Sequence, residues 1–349
     1  MKIAVAMSGG VDSSLVAALL AEQGHEVVGM FMRMVGDSPR GALVPWDPTD
    51  AQRVADDLDI PLEVLDFEPQ LEALIAYFCS EYDAGRTPSP CLLCNKWNKF
   101  GSLLAHARRT GCDKLATGHY VRLTHEDGRW LLRRGLDATK DQSYMLAGLQ
   151  QGQLAHAAFP LGDTRKEAVR QMARERGLAV HQSKESQDIC FLPDRDYVAL
   201  LRERIGDRLA PGPILDTAGT VVGRHPGCQC FTIGQRRGLR VALGTPRYVV
   251  RIDRGANAVV IGTRDELQRH TMRVSQINWI AFDRPTEPFE ASVQIRYNHK
   301  PTPATVEPSP DGGARVVFHQ PERGVSPGQA AVFYHDDLLL GGGWIEAGD

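Results

Sequence analysis

Short β-type runs and helical periods alternate along the first part of the chain. KIAVAM, EVVGMFM and PLEVLDF are largely apolar, and SSLVAALLAEQG and DAQRVADDLDI between them repeat apolar positions at helical spacing. That rhythm predicts βαβ units on a parallel sheet. Two further helices are expected, Asn95 to Arg109 and Thr164 to Arg176, the second with Thr164 as N-cap and Gly177 as its stop. Beyond about Gly206 the helical periods give way to strands punctuated by Gly and Pro. RYVVRID and AVVIGT flank RGAN as a hairpin, and ASVQIRY, ARVVFHQ, AAVFYHD and LLLGGGWI read as strands of another unit. The expected fold is α/β: a parallel-sheet domain over 1–205, a small β-rich central domain over 206–272 and a C-terminal β-barrel over 273–349.

Composition supports more than one core. The chain has 349 residues, 42% of them hydrophobic, which exceeds what a single core comfortably organises. MKIAVAMSGG carries no leader pattern and no apolar run reaches the length of a membrane span, so the cytoplasm is the expected compartment, with no membrane partner. Seven cysteines, an odd number, argue for free thiols in a reducing environment. A net charge of −3 gives no general pull toward nucleic acid, so DNA is not expected as a partner and any RNA contact needs a local patch.

The chemistry begins at SGGVDSS, Ser8 to Ser14, between the first strand and the first helix. Two glycines let successive N–H groups form an anion nest, and the helix dipole behind them favours a phosphate. No Gly-Lys-Ser/Thr follows, so this is not a Walker A loop, nor is it GxGxxG. A glycine turn with a Ser or Asp cap is the structural alternative. The string resembles the pyrophosphate loop of the ATP pyrophosphatases, which implies ATP and adenylation and leaves the acceptor open.

The second motif is TPSPCLLCNKWNKF, Thr87 to Phe100. A structural zinc site needs four ligands, and no second CxxC follows at finger spacing; Cys112 stands alone, while Cys228 and Cys230 in GCQCF read as one face of a strand. A Cys91/Cys94/Cys228/Cys230 zinc set is therefore the weaker alternative. Cys94 precedes a helix, and the helix dipole with Lys96 and Lys99 would stabilise a thiolate. A buried, inert pair is the structural alternative. Cys190 lies in KESQDICFLPD behind Lys184, Glu185 and Asp188, in a loop expected to precede a helix starting near Asp194.

AMSGGVDSS, GMFMRM, TPSPCLLCNKWNKF, ATGHYVRL, KDQSYML, SQDICF, GRHPGCQCFTIGQRRGL and IRYNHKP together resemble the tRNA-specific 2-thiouridylase family in order and spacing. The resemblance implies an adenine nucleotide alpha hydrolase-like first domain and a tRNA-uridine 2-sulfurtransferase acting, with ATP and Mg²⁺, on the wobble uridine of tRNAs for Lys, Glu and Gln. By this resemblance Ala6, Met7, Ser8, Gly9, Gly10, Val11, Asp12, Ser13, Met32 and Gly118 bind the nucleotide. Cys94 matches the nucleophile and Cys190 the persulfide carrier, and the cycle closes on a Cys94–Cys190 disulfide. Ser89, Pro90 and Cys91 match the loop around the target base; His119, Lys140, Asp141, Gln142, Arg296, Tyr297 and Gln329 match tRNA contacts. The implied partners are the tRNA anticodon stem-loop and a persulfide donor, either a cysteine desulfurase or a sulfur relay protein.

One position departs from the pattern. Many family members carry Asp where this chain has Cys91, which leaves the general base open and creates a three-thiol set, Cys91, Cys94 and Cys190, able in principle to hold a four-iron cluster. The β half adds a local patch: between Gly223 and Arg254 stand seven arginines (224, 236, 237, 240, 247, 251 and 254) and one acid, Asp253. Arginines read phosphates and stack on splayed bases, so this stretch is expected to face RNA. Another thiolase, an amide-forming synthetase and a non-catalytic RNA-binding redox sensor are the rival readings.

Overall fold

The computed structural model describes residues 1–34, 47–178, 189–192 and 196–347. Strands β1 (Lys2–Ala6), β2 (Glu26–Arg33), β3 (Leu62–Asp66) and β4 (Lys114–Ala116) alternate with helices α1 (Val11–Glu22), α2 (Thr49–Asp57) and α3 (Glu68–Asp83). After β4 the chain leaves as a hairpin, β5 (Val121–Glu126) and β6 (Arg129–Arg134), and returns for β7 (Ala157–Ala158). The sheet is parallel with order β3-β2-β1-β4-β7. Ile3 and Val5 pack into one core layer and Ala4 into the other, the strand period of two that places β1 in the middle.

Between α3 and β4 the chain forms a short helix, α4 (Pro90–Leu93), a π-helix (Cys94–Leu103) and a last α-helical stretch, α5 (Leu104–Arg109). The single helix expected over Asn95 to Arg109 is thus two-thirds π, in which Gly101 sits against the carbonyl of Lys96 five residues back. Helices α6 (Gln151–Leu154), α7 (Lys166–Glu175) and α8 (Tyr197–Ile205) complete the domain. Helix α7 starts later than expected and is not capped by Thr164. The carboxylate of Asp137 accepts the Lys166 backbone N–H at 3.0 Å instead, a long-range cap invisible to local pattern. Helix α8 is capped by Asp196, which accepts from Ala199 N. Lys184, Glu185, Asp188 and Asp194 lie outside the described residues.

The central unit is a four-stranded sheet of β8 (Gly212–Asp216), β9 (Val221–His225), β10 (Tyr248–Asp253) and β11 (Ala258–Gly262), ordered β10-β11-β8-β9. Strands β10 and β11 are the hairpin expected around RGAN. GCQCF is not a strand: Cys228–Cys230 form a 3₁₀ turn, and both cysteines are buried in this unit's own core.

Six strands, β12 (Gln268–Trp279), β13 (Phe289–Gln294), β14 (Thr302–Pro308), β15 (Ala314–Arg323), β16 (Ala330–His335) and β17 (Leu338–Ile345), close into a barrel through the β12–β17 pairing. The triple glycine of β17 makes closure possible. A Cβ on Gly343 would lie 2.4 Å from the Ser275 carbonyl, and one on Gly341 2.6 Å from that of Asn278.

The barrel and the first domain are interlocked. Hairpin β5–β6 extends the barrel sheet through Leu338 and Arg133, and Arg129 donates to the carbonyls of Ile280 and Phe282. In the following segment the Asp141 carboxylate accepts from Arg134, Gly135 N, Ser143 N and Ser143 Oγ, all within 3.1 Å. Arg134 lies 3.6 Å over the Tyr334 ring, and Tyr144 donates to the Ala330 carbonyl. Asp141→Ala would strip the partly buried Arg134 guanidinium of its counter-charge and leave Gly135 N and Ser143 without their acceptor, and is expected to cost about 3 kcal/mol, read as a lower urea midpoint. A loss under about 1 kcal/mol, the range of an exposed pair, would show that the network is not structural.

Candidate active site

The glycine loop leaves β1 beside β4, where the sheet order reverses, the position at which open α/β sheets take ligands. Gly9 has φ +74°, a backbone state that side chains resist. Ser13 Oγ accepts from Ser8 N at 3.2 Å and donates to the Gly10 carbonyl at 3.1 Å, so the loop is braced from inside. Gly118 closes it from the end of β4: a Cβ there would sit 2.8 Å from Asp12 Cβ and 3.1 Å from Ser13 N. Met7 and Met32 are buried, one in each of the two core layers that flank the sheet. The arrangement fits a phosphate cradle behind the N-terminus of α1.

Asp12 is not a free carboxylate. Lys166 Nζ lies 2.8 Å from both its oxygens and the Tyr120 hydroxyl donates at 2.7 Å. The buried Lys166 thus holds Asp12 in place beside the loop. Lys166 and Tyr120 were not singled out by sequence, because only the fold brings α7 to the loop.

The cysteine motif lies on the other side of Gly118. Gln329 Nε2 donates to the carbonyls of Thr87 and Pro88, and Thr87 N donates to the Pro327 carbonyl at 2.7 Å, so the barrel holds the segment leading to Cys91 and Cys94. Cys91, Cys94 and Cys190 are half-buried free thiols. Asn98, one π-turn on, approaches Cys94 Sγ at 3.9 Å. Burial above all pushes all three thiols up, Cys91 to about 11 and Cys190 to about 12. Cys94 raises the other two further, Cys91 also raises Cys190, and the Lys99 ammonium opposes the shift at each. The fold therefore brings Cys190 to Cys94 and Cys91, and gives the three one common cation. Lys96 is used differently: its stem packs against Gly148.

His119 follows Gly118 directly and joins the two halves. It is buried, bonds Thr117 Oγ1 through Nδ1 at 2.7 Å, and is held neutral by burial and by Lys99. The other residues matched to tRNA contacts are divided. Gln142 Oε1 accepts from Tyr120 N, and Asp141 is wholly engaged as described above. Ser89 and Pro90 are buried, and Lys140 makes a turn to Asp137. Arg296 is exposed, with Nη1 donating to the Arg323 carbonyl. The Tyr297 ring packs 6.3 Å from Tyr144, and its hydroxyl is pushed up by burial, by Asp141 and by Cys91, which places it at the edge of the thiol chamber.

Among the described residues no group of three or more His, Cys, Asp or Glu side chains is arranged to hold a metal ion. The three thiols as placed do not fit a four-iron cluster, and the zinc set fails because Cys228 and Cys230 belong to the central core. Nor is any helix among the described residues long and apolar enough to cross a membrane.

A braced phosphate loop on a parallel sheet, with two β units appended, defines a nucleotide-binding α/β protein of the HUP type. Residues 1–194 match the family described as tRNA methyl transferase HUP domain, 199–263 its PRC-barrel domain and 269–345 the aminomethyltransferase beta-barrel domain. The tRNA-specific 2-thiouridylase of Carboxydothermus hydrogenoformans is 48% identical, covering 99% of this chain and 97% of that one. That of Desulforamulus reducens is 46% identical, with 99% and 97% covered. The chain belongs to the tRNA-specific 2-thiouridylase family.

Raised thiols make a testable statement about reactivity. Alkylation of Cys94 in the free protein, followed by peptide mass spectrometry, is expected to quicken about tenfold per pH unit from 7 to 9, as the thiolate fraction grows. A plateau below pH 8 would mean a thiolate already formed at neutrality.

Proposed function

We propose that this chain is an ATP-dependent sulfurtransferase that replaces O2 of the wobble uridine in tRNAs for Lys, Glu and Gln by sulfur. The observation that carries the reading is the junction at Gly118 and His119. Gly118 touches the phosphate loop, while its neighbour lies in the field of the cation shared by three thiols. Adenylation and sulfur transfer need such adjacent halves.

In the first half, uracil O2 attacks the α-phosphorus of ATP and pyrophosphate leaves, which converts a poor leaving oxygen at C2 into AMP. The backbone of Ser8 to Gly10 and the N-terminus of α1 bind the phosphates, and Lys166 keeps Asp12 from repelling them. Mg²⁺, when bound, supplies neutralising charge to the phosphates. Since Asp12 is taken by Lys166 and Tyr120, no assembled carboxylate set waits for the ion among the described residues, and it would enter with the nucleotide.

In the second half, the terminal sulfur of a Cys190 persulfide attacks C2 and expels AMP. The Cys94 thiolate then attacks Cys190 Sγ, the C–S bond to uridine stays, and the S–S bond breaks toward the base. The products are 2-thiouridine and a Cys94–Cys190 disulfide, which an external thiol reduces. A persulfide donor protein, a desulfurase or a relay, reloads Cys190. Neutral His119 sits in the connection between β4 and β5 without competing for the thiolate. The cytoplasm, where tRNA matures, is the compartment this reading requires.

Incubation with ATP, Mg²⁺, a persulfide donor and unmodified tRNA is expected to give tRNA-dependent pyrophosphate and 2-thiouridine by nucleoside mass spectrometry. Cys94→Ser and Cys190→Ser should each lower sulfur incorporation at least ~10³-fold, the scale of a lost covalent nucleophile, while pyrophosphate release persists. No tRNA-dependent pyrophosphate would favour the redox sensor, and full thiolation by Cys94→Ser would overturn the mechanism.

A further inference from the structure

The seven arginines between Gly223 and Arg254 are not equivalent in the fold. Arg251 pairs with Asp253 at 3.2 Å. Arg254 binds the carboxylate and carbonyl of Asp83 at the end of α3, and Arg247 faces Glu266 with a buried Nε. These three hold the central unit together or to its neighbour. Arg236, Arg237 and Arg240 are exposed, and among the described residues none of them makes an ion pair or a side-chain hydrogen bond. Three unpaired like charges this close repel one another in the free protein.

The loop that carries them is rigidly braced. Thr232 N donates to Gln235 Oε1, and Gln235 Nε2 donates to the Arg237 carbonyl at 3.0 Å. Gly234 N and the Gln235 carbonyl bond the two sides of Val249 in β10. Leu239 is buried in the central core, and Val241 packs where a side chain on Gly223 would be. Arg240, between these two anchors, has φ +54°, an uncommon conformation for a residue with a side chain. Preorganisation of this kind lowers the ordering cost of binding.

The loop also joins the thiol chamber. A Cβ on Gly234 would lie 4.0 Å from Gly324 of the barrel, and one on Gly324 3.2 Å from Arg296 Nη1. Arg296 is followed by Tyr297, which packs against Tyr144 and whose buried hydroxyl feels the charge of Cys91. A basic track therefore runs from 236–240 across the domain junction to the cysteines, with no carboxylate of its own along the loop.

We propose that Arg236, Arg237 and Arg240 grip successive phosphates of the RNA strand that enters the thiol chamber past Arg296 and Tyr297. The proposal rests on the tRNA reading above and adds where the strand is held. A phosphodiester backbone is the ligand because the loop offers charge and fork-shaped donors on exposed side chains.

The test is tRNA binding by fluorescence anisotropy across a salt series, using the full chain. Replacing all three by glutamine is expected to weaken binding on the order of 10–100-fold at 0.1 M salt. It should also lower the slope of log K against log salt by about two, from roughly 0.7 per lost phosphate contact on a single strand. Arg237→Gln alone should lower it by less than one, and Arg174→Gln on α7 should leave it unchanged. A triple variant with native thermal melting and an unchanged slope overturns the proposal while leaving the thiolase reading intact. A wild-type chain that binds no tRNA overturns both.

Discussion

The buried carboxylate of Asp141 is the point on which the geometry of the cysteine chamber turns. It gathers Arg134, Gly135 and Ser143, and through them it fixes the segment that the barrel grasps at Tyr334 and Ala330. Two residues before Ala330, Gly328 lies so close that a Cβ would be 2.9 Å from Arg86, Glu81 and Thr87. Gln329 then holds the next two carbonyls. The segment that leads into the helices carrying Cys91 and Cys94 is thus held by the C-terminal barrel. A fully satisfied buried polar network specifies one arrangement, since every alternative leaves a charge or donor unpaired. The barrel is in this sense part of the active site although it supplies no reactive atom.

The π-helix decides what lies over Cys94. In an α-helix the side chains three and four residues on would share its face, and one of these is Trp97. With the wider π turn, residues four and five on take that place, which brings Asn98 and Lys99 to the sulfur and turns Trp97 outward against Tyr77. Trp97 is accordingly 44% exposed, unusual for its size. The less favourable helix geometry is offset by placing an amide and a cation where burial would otherwise make a thiolate unaffordable.

The strand–helix rhythm, the β10–β11 hairpin and the barrel strands β13, β15, β16 and β17 were legible, because each depends on local apolar pattern and turn chemistry, whereas β12 and β14 were not read from the sequence. What could not be read depends on residues distant in sequence. Asp137 caps α7 in place of Thr164, Asp12 is bound by Lys166, and Asp141, which resemblance assigns to tRNA contact, is spent on the domain junction. GCQCF failed for a different reason: its apolar alternation suits a strand as well as a buried 3₁₀ turn, and only the packing of the central core selects the turn. The cysteines were legible as chemistry but not as a group, since no spacing rule relates Cys190 to Cys94.

That grouping carries a constraint of its own. After burial, the next influence on Cys190 is Cys94 and then Cys91, and among the described residues the side-chain charge that opposes them is Lys99. One cation can compensate one anion. Ionising a second thiol beside the first would add like-charge repulsion in a half-buried site, so the protons leave as a coupled set rather than independently. His119 cannot relieve this by charging, because burial and the same lysine hold it neutral. While both sulfurs are free thiols such exclusivity leaves one as the anion and the other protonated. A second permanent cation would stabilise both thiolates together and remove the exclusivity. Lys99 therefore fits a site that carries one thiolate at a time.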